Sequence, residues 1–277
     1  MFENILGHDN EKNILKDCIS QGKVSHSYLF AGPSGIGKLL VAKEFAKAIL
    51  NVNNLNSCPD YKYICKKEDK KNILVEQIRD NIVNDIYVSP ATGDKKVYII
   101  DGAEYLNDAS QNALLKTLEE PPRHAIIILI ASSSSNLLPT VISRVYKINF
   151  NKLSTEIVDK YMSENFDTNL DKNIIEFADG SIGFMLEIIN EKLTDELNKI
   201  NELFKSIVEK DVIKCLKESE GIDFTKKHTL DYLQHVLFSS NKYLCTEIIE
   251  KGKERLKYNG NYDIVIDNMI LKCIENI

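Results

Sequence analysis

No apolar run in this 277-residue sequence reaches membrane-spanning length, and the longest, Ala125 to Ala131, suits a buried strand. A surplus of basic charge is also missing. Lys and Arg number 35 against 41 Asp and Glu, leaving a net charge of −6. That balance predicts no tight autonomous binding to DNA or RNA. The first residues, Met1-Phe2-Glu3-Asn4, lack the basic start and apolar centre of a secretory signal. A cytoplasmic chain with reduced thiols is therefore expected. Cysteine is sparse and scattered: Cys18, Cys58, Cys65, Cys215, Cys245 and Cys273. Only Cys58 and Cys65 lie near each other, with no C-x-x-C pair and no histidine close by. A structural zinc site needs four ligands and a catalytic one three plus water, so ordinary thiols and no metal are expected.

One further absence sits inside a motif. Gly32-Pro33-Ser34-Gly35-Ile36-Gly37-Lys38 has the full G-x-x-x-x-G-K spacing of a phosphate-binding loop. Its glycines let successive backbone N–H groups turn toward a polyphosphate, and Lys38 supplies a point charge for the outer phosphates. The next position should carry a Ser or Thr hydroxyl to hold Mg²⁺. Here it is Leu39, followed by Leu40, and neither offers oxygen to a hard cation. The candidate binding residues are thus Gly32, Gly35, Gly37 and Lys38, in a cradle without its metal ligand.

From Ser27 to Phe150 short apolar strands alternate with helical patterns, the mark of a parallel α/β sheet. Strands are predicted at Ser27–Ala31, Ile73–Val75, Val97–Asp101, Ala125–Ala131 and Tyr146–Phe150. A helix follows Lys38 through Ala42, Phe45, Ala46, Ile49 and Leu50, and the polar stretch from Asn51 to Lys71 breaks it. Ile78, Ile82 and Ile86 mark another helix. Asp108 and Gln111 have the spacing of a capping box that opens a helix through Ala113, Leu114, Leu115 and Leu118, stopped by Pro121-Pro122. Beyond Asn151 helical periodicity takes over. One stripe is Leu230, Leu233 and Leu237; another is Tyr262, Ile266, Met269, Ile270, Cys273 and Ile277, behind a break at Asn259-Gly260-Asn261. Such stripes read as helix-bundle core. The basic run Lys66, Lys67, Lys70 and Lys71 is interrupted by Glu68 and Asp69 and reads as a solvated loop. His26 and His124, beside strands, read as packing or turn residues.

In a nucleotide-hydrolysing enzyme a second strand brings an Asp beside the phosphate loop, and a further group orients the attacking water. Asp101 ends such a strand, and the next position, where a catalytic Glu belongs, is Gly102. Glu104 lies two residues further on and is expected to point elsewhere.

The run Ile99-Ile100-Asp101-Gly102-Ala103-Glu104, the block Gln111-Asn112-Ala113-Leu114-Leu115-Lys116-Thr117-Leu118-Glu119-Glu120-Pro121-Pro122 and the segment Leu138-Pro139-Thr140-Val141-Ile142-Ser143-Arg144 closely resemble bacterial clamp-loader subunits of DNA polymerase III. Gly7-His8 and the stretch from Val24 to Pro33 fit the same family. The resemblance covers residues from about 5 to 150 and is strongest to the delta-prime branch. It implies an α/β AAA+ P-loop domain with a parallel sheet (1–150), a small helical lid (151–192) and an all-α collar (193–277) through which subunits assemble. The implied partners are gamma/tau ATPase and delta subunits in a hetero-pentameric ring, with the sliding clamp and primed DNA reached through the complex and no membrane.

The same resemblance assigns roles. The family's Ser-Arg-Cys motif, whose arginine reaches a neighbouring subunit's ATP, reads Ser143-Arg144-Val145 here. Arg144 is thus implied to act in trans as an arginine finger, with Ser143 beside it; a planar, always-charged guanidinium suits that role. Gly183 stands where the family's motor subunits carry a lid arginine, and Ser132 or Ser133 stands at the sensor position. The four-cysteine zinc module common in the family is reduced to Cys58 and Cys65, so no zinc is expected. With Leu39, Gly102 and Gly183 each removing a chemical group, the chain is expected not to hydrolyse ATP and to need no cofactor. Occupancy of the loop by ATP, ADP or phosphate stays open. The alternative is an active motor of the gamma/tau kind, which differs at Leu39 and Gly102.

Overall fold

The computed structural model describes residues 1–166, 170–258 and 260–277. In chain order the elements are α1 (Asp9–Ser20), β1 (Ser27–Ala31), α2 (Lys38–Leu50), β2 (Tyr61–Cys65), α3 (Val75–Ile78), β3 (Lys96–Asp101), α4 (Asp108–Glu119), β4 (Ala125–Ala131), α5 (Pro139–Ile142) and β5 (Tyr146–Asn149). The helices α6 (Thr155–Asn165), α7 (Lys172–Phe177), α8 (Ile182–Asn190), α9 (Thr194–Glu209), α10 (Val212–Glu220), α11 (Thr229–Ser239), α12 (Tyr243–Lys257) and α13 (Tyr262–Glu275) follow. Residues Arg79–Val83 form one wide π-helical turn after α3.

Among the described residues the strands form one parallel sheet in the order β2-β3-β4-β1-β5. Parallel strands need crossover helices, which cover both faces and leave the central strands apolar throughout. That is why Ala125–Ala131 is seven consecutive buried residues. Alternate side chains feed two cores. Tyr28, Phe30, Val97, Ile99, Ile126 and Ile128 pack with α2 through Val41, Ala42 and Phe45. Leu29, Tyr98, Ile100, Ile127 and Leu129 pack on the other face with Ile78, Ile82, Ile86 and Leu114. Ile128 is fully buried, and Ile128→Ala would cost about 2–5 kcal/mol through lost transfer energy and a cavity.

Two compact units divide the chain. The first is Met1–Ile157 with Gly180–Gly183; the second is Val158–Asp179 with Phe184–Ile277. The second unit contains helices and, among the described residues, no strand. Phe177 of α7 lies within about 5 Å of the rings of Phe184, Tyr232 and His235, and the Tyr232 hydroxyl donates to Asn201 Oδ1 at 2.7 Å. Glu196, on α9, accepts from Lys226 at 2.9 Å.

Several local expectations need correction. The strand expected at Ile73–Val75 is a single bridge from Ile73 to Leu106, and Val75 already begins α3. The missing edge strand is Tyr61–Cys65, inside the stretch read as polar loop. Among the described residues it pairs only with β3, and of its side chains only Ile64 is buried, so its apolar signal is weak. The cap of α4 is Asn107, whose side chain accepts from Ser110 N at 2.9 Å; Asp108 is the first helical residue. On α11 the buried set is Thr229, Tyr232, Leu233, Val236 and Leu237, so the stripe is wider than its leucines and Leu230 lies at its margin. Within the break at 259–261, Asn259 lies outside the described residues.

Candidate functional site

β1 ends against β4, and the chain leaves it into the phosphate loop. Gly32 N donates to Ala131 O at 3.2 Å, and Gly37, in left-handed conformation, heads α2. The buried His8 donates from Nε2 to Ile36 O at 2.7 Å, which ties the Gly7-His8 segment to the loop. Gly183 N donates to Gly35 O at 2.8 Å. That approach is so close that a Cβ on Gly183 would sit 2.7 Å from Gly35 Cα.

Lys38 does not extend outward. Its ammonium donates to Gly32 O at 2.7 Å and Pro33 O at 2.5 Å, and the residue is only 6% exposed. Burial pulls its pKa below the ordinary lysine value, opposed by the charges of Glu104 and Asp101. The cation expected for phosphate is occupied by the loop's own carbonyls.

Beside the loop lies a small cavity of about 220 Å³, lined among others by Ser34, Lys38, Asp101, Gly102, Glu104 and Ser132. Asp101, at the end of β3, accepts from the Tyr63 hydroxyl at 2.8 Å. Burial first, then that bond to the carboxylate, pushes the Tyr63 phenol pKa up. Glu104 was expected to point away, yet it lines the cavity. Its Oε1 accepts from Ser132 N at 3.1 Å and from Ser132 Oγ, while Oε2 is buried with no hydrogen-bond partner among the described residues. Of the two candidate serines, Ser132 lines the cavity, and Ser133 pairs with Ser135 instead. Gly102 is not simply a missing carboxylate. Its φ is +76°, a conformation that L side chains rarely adopt, and a Cβ would lie 2.7 Å from the Tyr105 ring. Lys66 stands over that ring at 4.8 Å from the centroid. Leu39 packs against the α2-side core and Leu40 is exposed.

Arg144 lies elsewhere on the first unit, just past α5. Its Nη1 donates to Thr140 O at 2.9 Å and Ser143 Oγ at 3.1 Å, and Nη2 pairs with Glu119 Oε1 at 2.7 Å. The side chain remains 33% exposed. The Arg144 carbonyl accepts from Ser27 Oγ at 2.8 Å, anchoring its backbone to the start of β1. Upstream, buried Gln111 clamps the segment leading to α5. Its Nε2 donates to Leu106 O and Asn136 O, both at 3.0 Å, and its Oε1 accepts from Leu138 N at 2.7 Å.

The sequence thus places its candidates in two groups: Gly32, Gly35, Gly37 and Lys38 at the loop, Ser143 and Arg144 at the second location. Glu119, Tyr63 and the tie from His8 carried no role in the sequence, and Gln111, expected as a capping-box partner, instead holds the segment from Leu106 to Leu138. The signal available for Gln111 was a lone amide on the buried face of α4. Cys65 lines the cavity and is exposed, and Cys58 is half-buried. Among the described residues no three His, Cys, Asp or Glu side chains converge to hold a metal, and no helix is long and apolar enough to cross a membrane.

Residues 7–154 match the family model of DNA polymerase III, delta subunit. The chain belongs to this family. Among curated relatives, DNA polymerase III subunit tau of Bacillus subtilis is 31% identical over 73% of this chain and 37% of its own length. DNA polymerase III subunit gamma of Buchnera aphidicola from Schizaphis graminum is 26% identical, covering all of this chain and 96% of that protein. Among solved structures, a DNA polymerase III gamma subunit-related protein from Thermotoga maritima superposes with a TM-score of 0.59 at 19% identity, over 95% of this chain and 99% of that one. The fold of this clamp-loader subunit is accordingly AAA+: a parallel P-loop sheet followed by helices.

Proposed function

We propose that this chain is a non-hydrolysing, delta-prime-like subunit of the clamp loader that lends Arg144 to a neighbouring motor subunit's ATP. The observation that carries the reading is the contrast in how the two cations are held. Lys38 is buried on the loop's own carbonyls, whereas the Arg144 guanidinium stands part-exposed on the surface. Magnesium–triphosphate fits the first location poorly. Leu39 provides no oxygen, Asp101 is engaged by Tyr63, and Gly102 cannot become Glu without backbone strain. Lys38, Asp101 and Glu104 would leave a triphosphate facing two carboxylates and one internally satisfied ammonium.

On this reading residues 1–150 form the P-loop domain, 151–192 a lid and 193–277 a collar that joins gamma/tau and delta subunits in a pentameric ring. The clamp and primed DNA are met through that assembly. The rest of the mechanism belongs to Arg144: a fixed charge on a rigid α/β scaffold meets the negative charge that develops on the transferring phosphoryl group.

The test is a complex reconstituted with gamma/tau and delta subunits, carrying either the native chain or Arg144→Ala. The variant should fold and assemble normally, while DNA-stimulated hydrolysis and clamp loading fall. The isolated native chain should show no ATP turnover above background. Turnover by the isolated chain would instead support a gamma/tau-like motor, the reading favoured by the names of its curated relatives.

A further inference from the structure

Glu119 ends α4, where a negative charge meets the negative end of the helix dipole and costs rather than stabilises. What it gains there is Arg144. Its Oε1 lies 2.7 Å from Nη2, while Nη1 is held by Thr140 O and Ser143 Oγ. Both terminal nitrogens of the guanidinium are therefore taken by acceptors of this same chain. A guanidinium presents its N–H groups in a fixed planar fork, so carboxylate and phosphate oxygens compete for the same directions. These contacts commit three of the five N–H groups, and a phosphate gripped through the Nη1–Nη2 edge competes with Glu119 for Nη2. The backbone and hydroxyl partners are local to the turn, and Glu119 is the charged one.

From this arrangement we infer that Glu119 is a positioning residue that parks the Arg144 finger, and that the finger reaches a neighbour's nucleotide by exchanging this carboxylate for phosphate oxygen. The inference rests on the trans role of Arg144 proposed above. The pair is suited to exchange. Its side chains are 33% and 48% exposed, so solvent screens the attraction and release is easy. The parked pose keeps the guanidinium folded on its own subunit until assembly on DNA brings a stronger anion.

The test uses the complete reconstituted complex with four versions of this chain: native, Glu119→Gln, Arg144→Ala and the double variant. Glutamine keeps the size and one hydrogen-bond acceptor, removes the charge and turns the second oxygen into a donor amide. Steady-state ATP hydrolysis is measured without DNA or clamp, and kcat and KM for ATP are separated. Glu119→Gln should raise the DNA-free kcat about two- to five-fold, the range of a surface ion pair, with KM unchanged. The gain should vanish in the double variant, which should match Arg144→Ala. A purely structural Glu119 would not produce a gain that depends on Arg144. If Glu119→Gln leaves kcat unchanged or lowers it while Arg144→Ala reduces stimulated hydrolysis, the parking role is wrong and the trans role stands. If Arg144→Ala itself changes nothing, the trans role fails and parking fails with it.

Discussion

The phosphate loop and the Arg144 turn carry the two motif cations of the first unit, and they are built on opposite terms. Around Lys38 every bond closes inward: its ammonium on Gly32 and Pro33, His8 on Ile36, and Gly183 on Gly35. Around Arg144 the backbone is fixed, by Ser27 and by the Gln111 clamp upstream, while the charged tip rests on exchangeable surface partners. A cation held inside a loop contributes to the shape of the loop. A cation held at the surface of a rigid turn is available to something outside. On the reading proposed above, the difference separates a cradle that has lost its own chemistry from a part kept to serve another subunit.

The sharpest way to break the comparison is to exchange the two cations' importance. Arg144→Ala should reduce hydrolysis at the served site on the order of 10³-fold, measured in the reconstituted complex, and leave the melting temperature of the isolated chain unchanged. Lys38→Met should leave the complex's hydrolysis intact. A large loss from Lys38→Met would show that the loop acts chemically after all.

A second prediction concerns the frame that carries the finger. Gln111→Leu leaves Leu106 O, Asn136 O and Leu138 N without partners in a buried setting, at about 2–4 kcal/mol in all. Chemical denaturation should read that loss, and the complex should lose stimulated hydrolysis even though Arg144 is untouched.

Restoring the lost side chains should not restore a motor. Gly183→Arg forces a Cβ against Gly35 backbone and should cost about 1–3 kcal/mol. Gly102→Glu must adopt φ +76° beside the Tyr105 ring. The triple variant Leu39→Thr, Gly102→Glu, Gly183→Arg should melt lower than the native chain and still show no turnover in an ATPase assay.

The smallest effect is in alkaline stability. Burial lowers the Lys38 pKa in the folded chain below its unfolded value near 10.5. The unfolded chain then binds more protons between those two values, so this group makes stability rise with pH across that window. Below the folded value both states are protonated and the term is flat. Melting curves from pH 8 to 11 should therefore differ in slope between the native chain and Lys38→Met, with the native slope the more positive.

Much of this was legible in the residues alone. The strands at Ala125–Ala131 and Ser27–Ala31 and the start of α2 at Lys38 follow from apolar runs and from the glycine loop, because a sheet covered on both faces writes itself as continuous hydrophobic stretches. The edge strand Tyr61–Cys65 was not, since it buries a single side chain and is held by ladder bonds to β3 that composition does not show. The Tyr-Lys-Tyr-Ile alternation was its available sign. At the loop, the residue types foretold a cradle without metal ligand, but not the direction in which Lys38 turns. That direction depends on carbonyls that become neighbours only after the loop closes. Glu104 was misjudged for a similar reason: the short 3₁₀ turn at Ala103–Tyr105 swings it back toward Ser132.

The bond from Ser27 Oγ to the Arg144 carbonyl has a geometric consequence. Ser27 opens β1 and Ala31 closes it, directly before the glycine turn. At about 3.3 Å per residue, one extended strand therefore sets a spacer of roughly 13 Å from the Arg144 backbone to the start of the phosphate loop. Because that strand is paired on both sides, a displacement of the Arg144 backbone would be carried along it to the glycine turn rather than absorbed on the way.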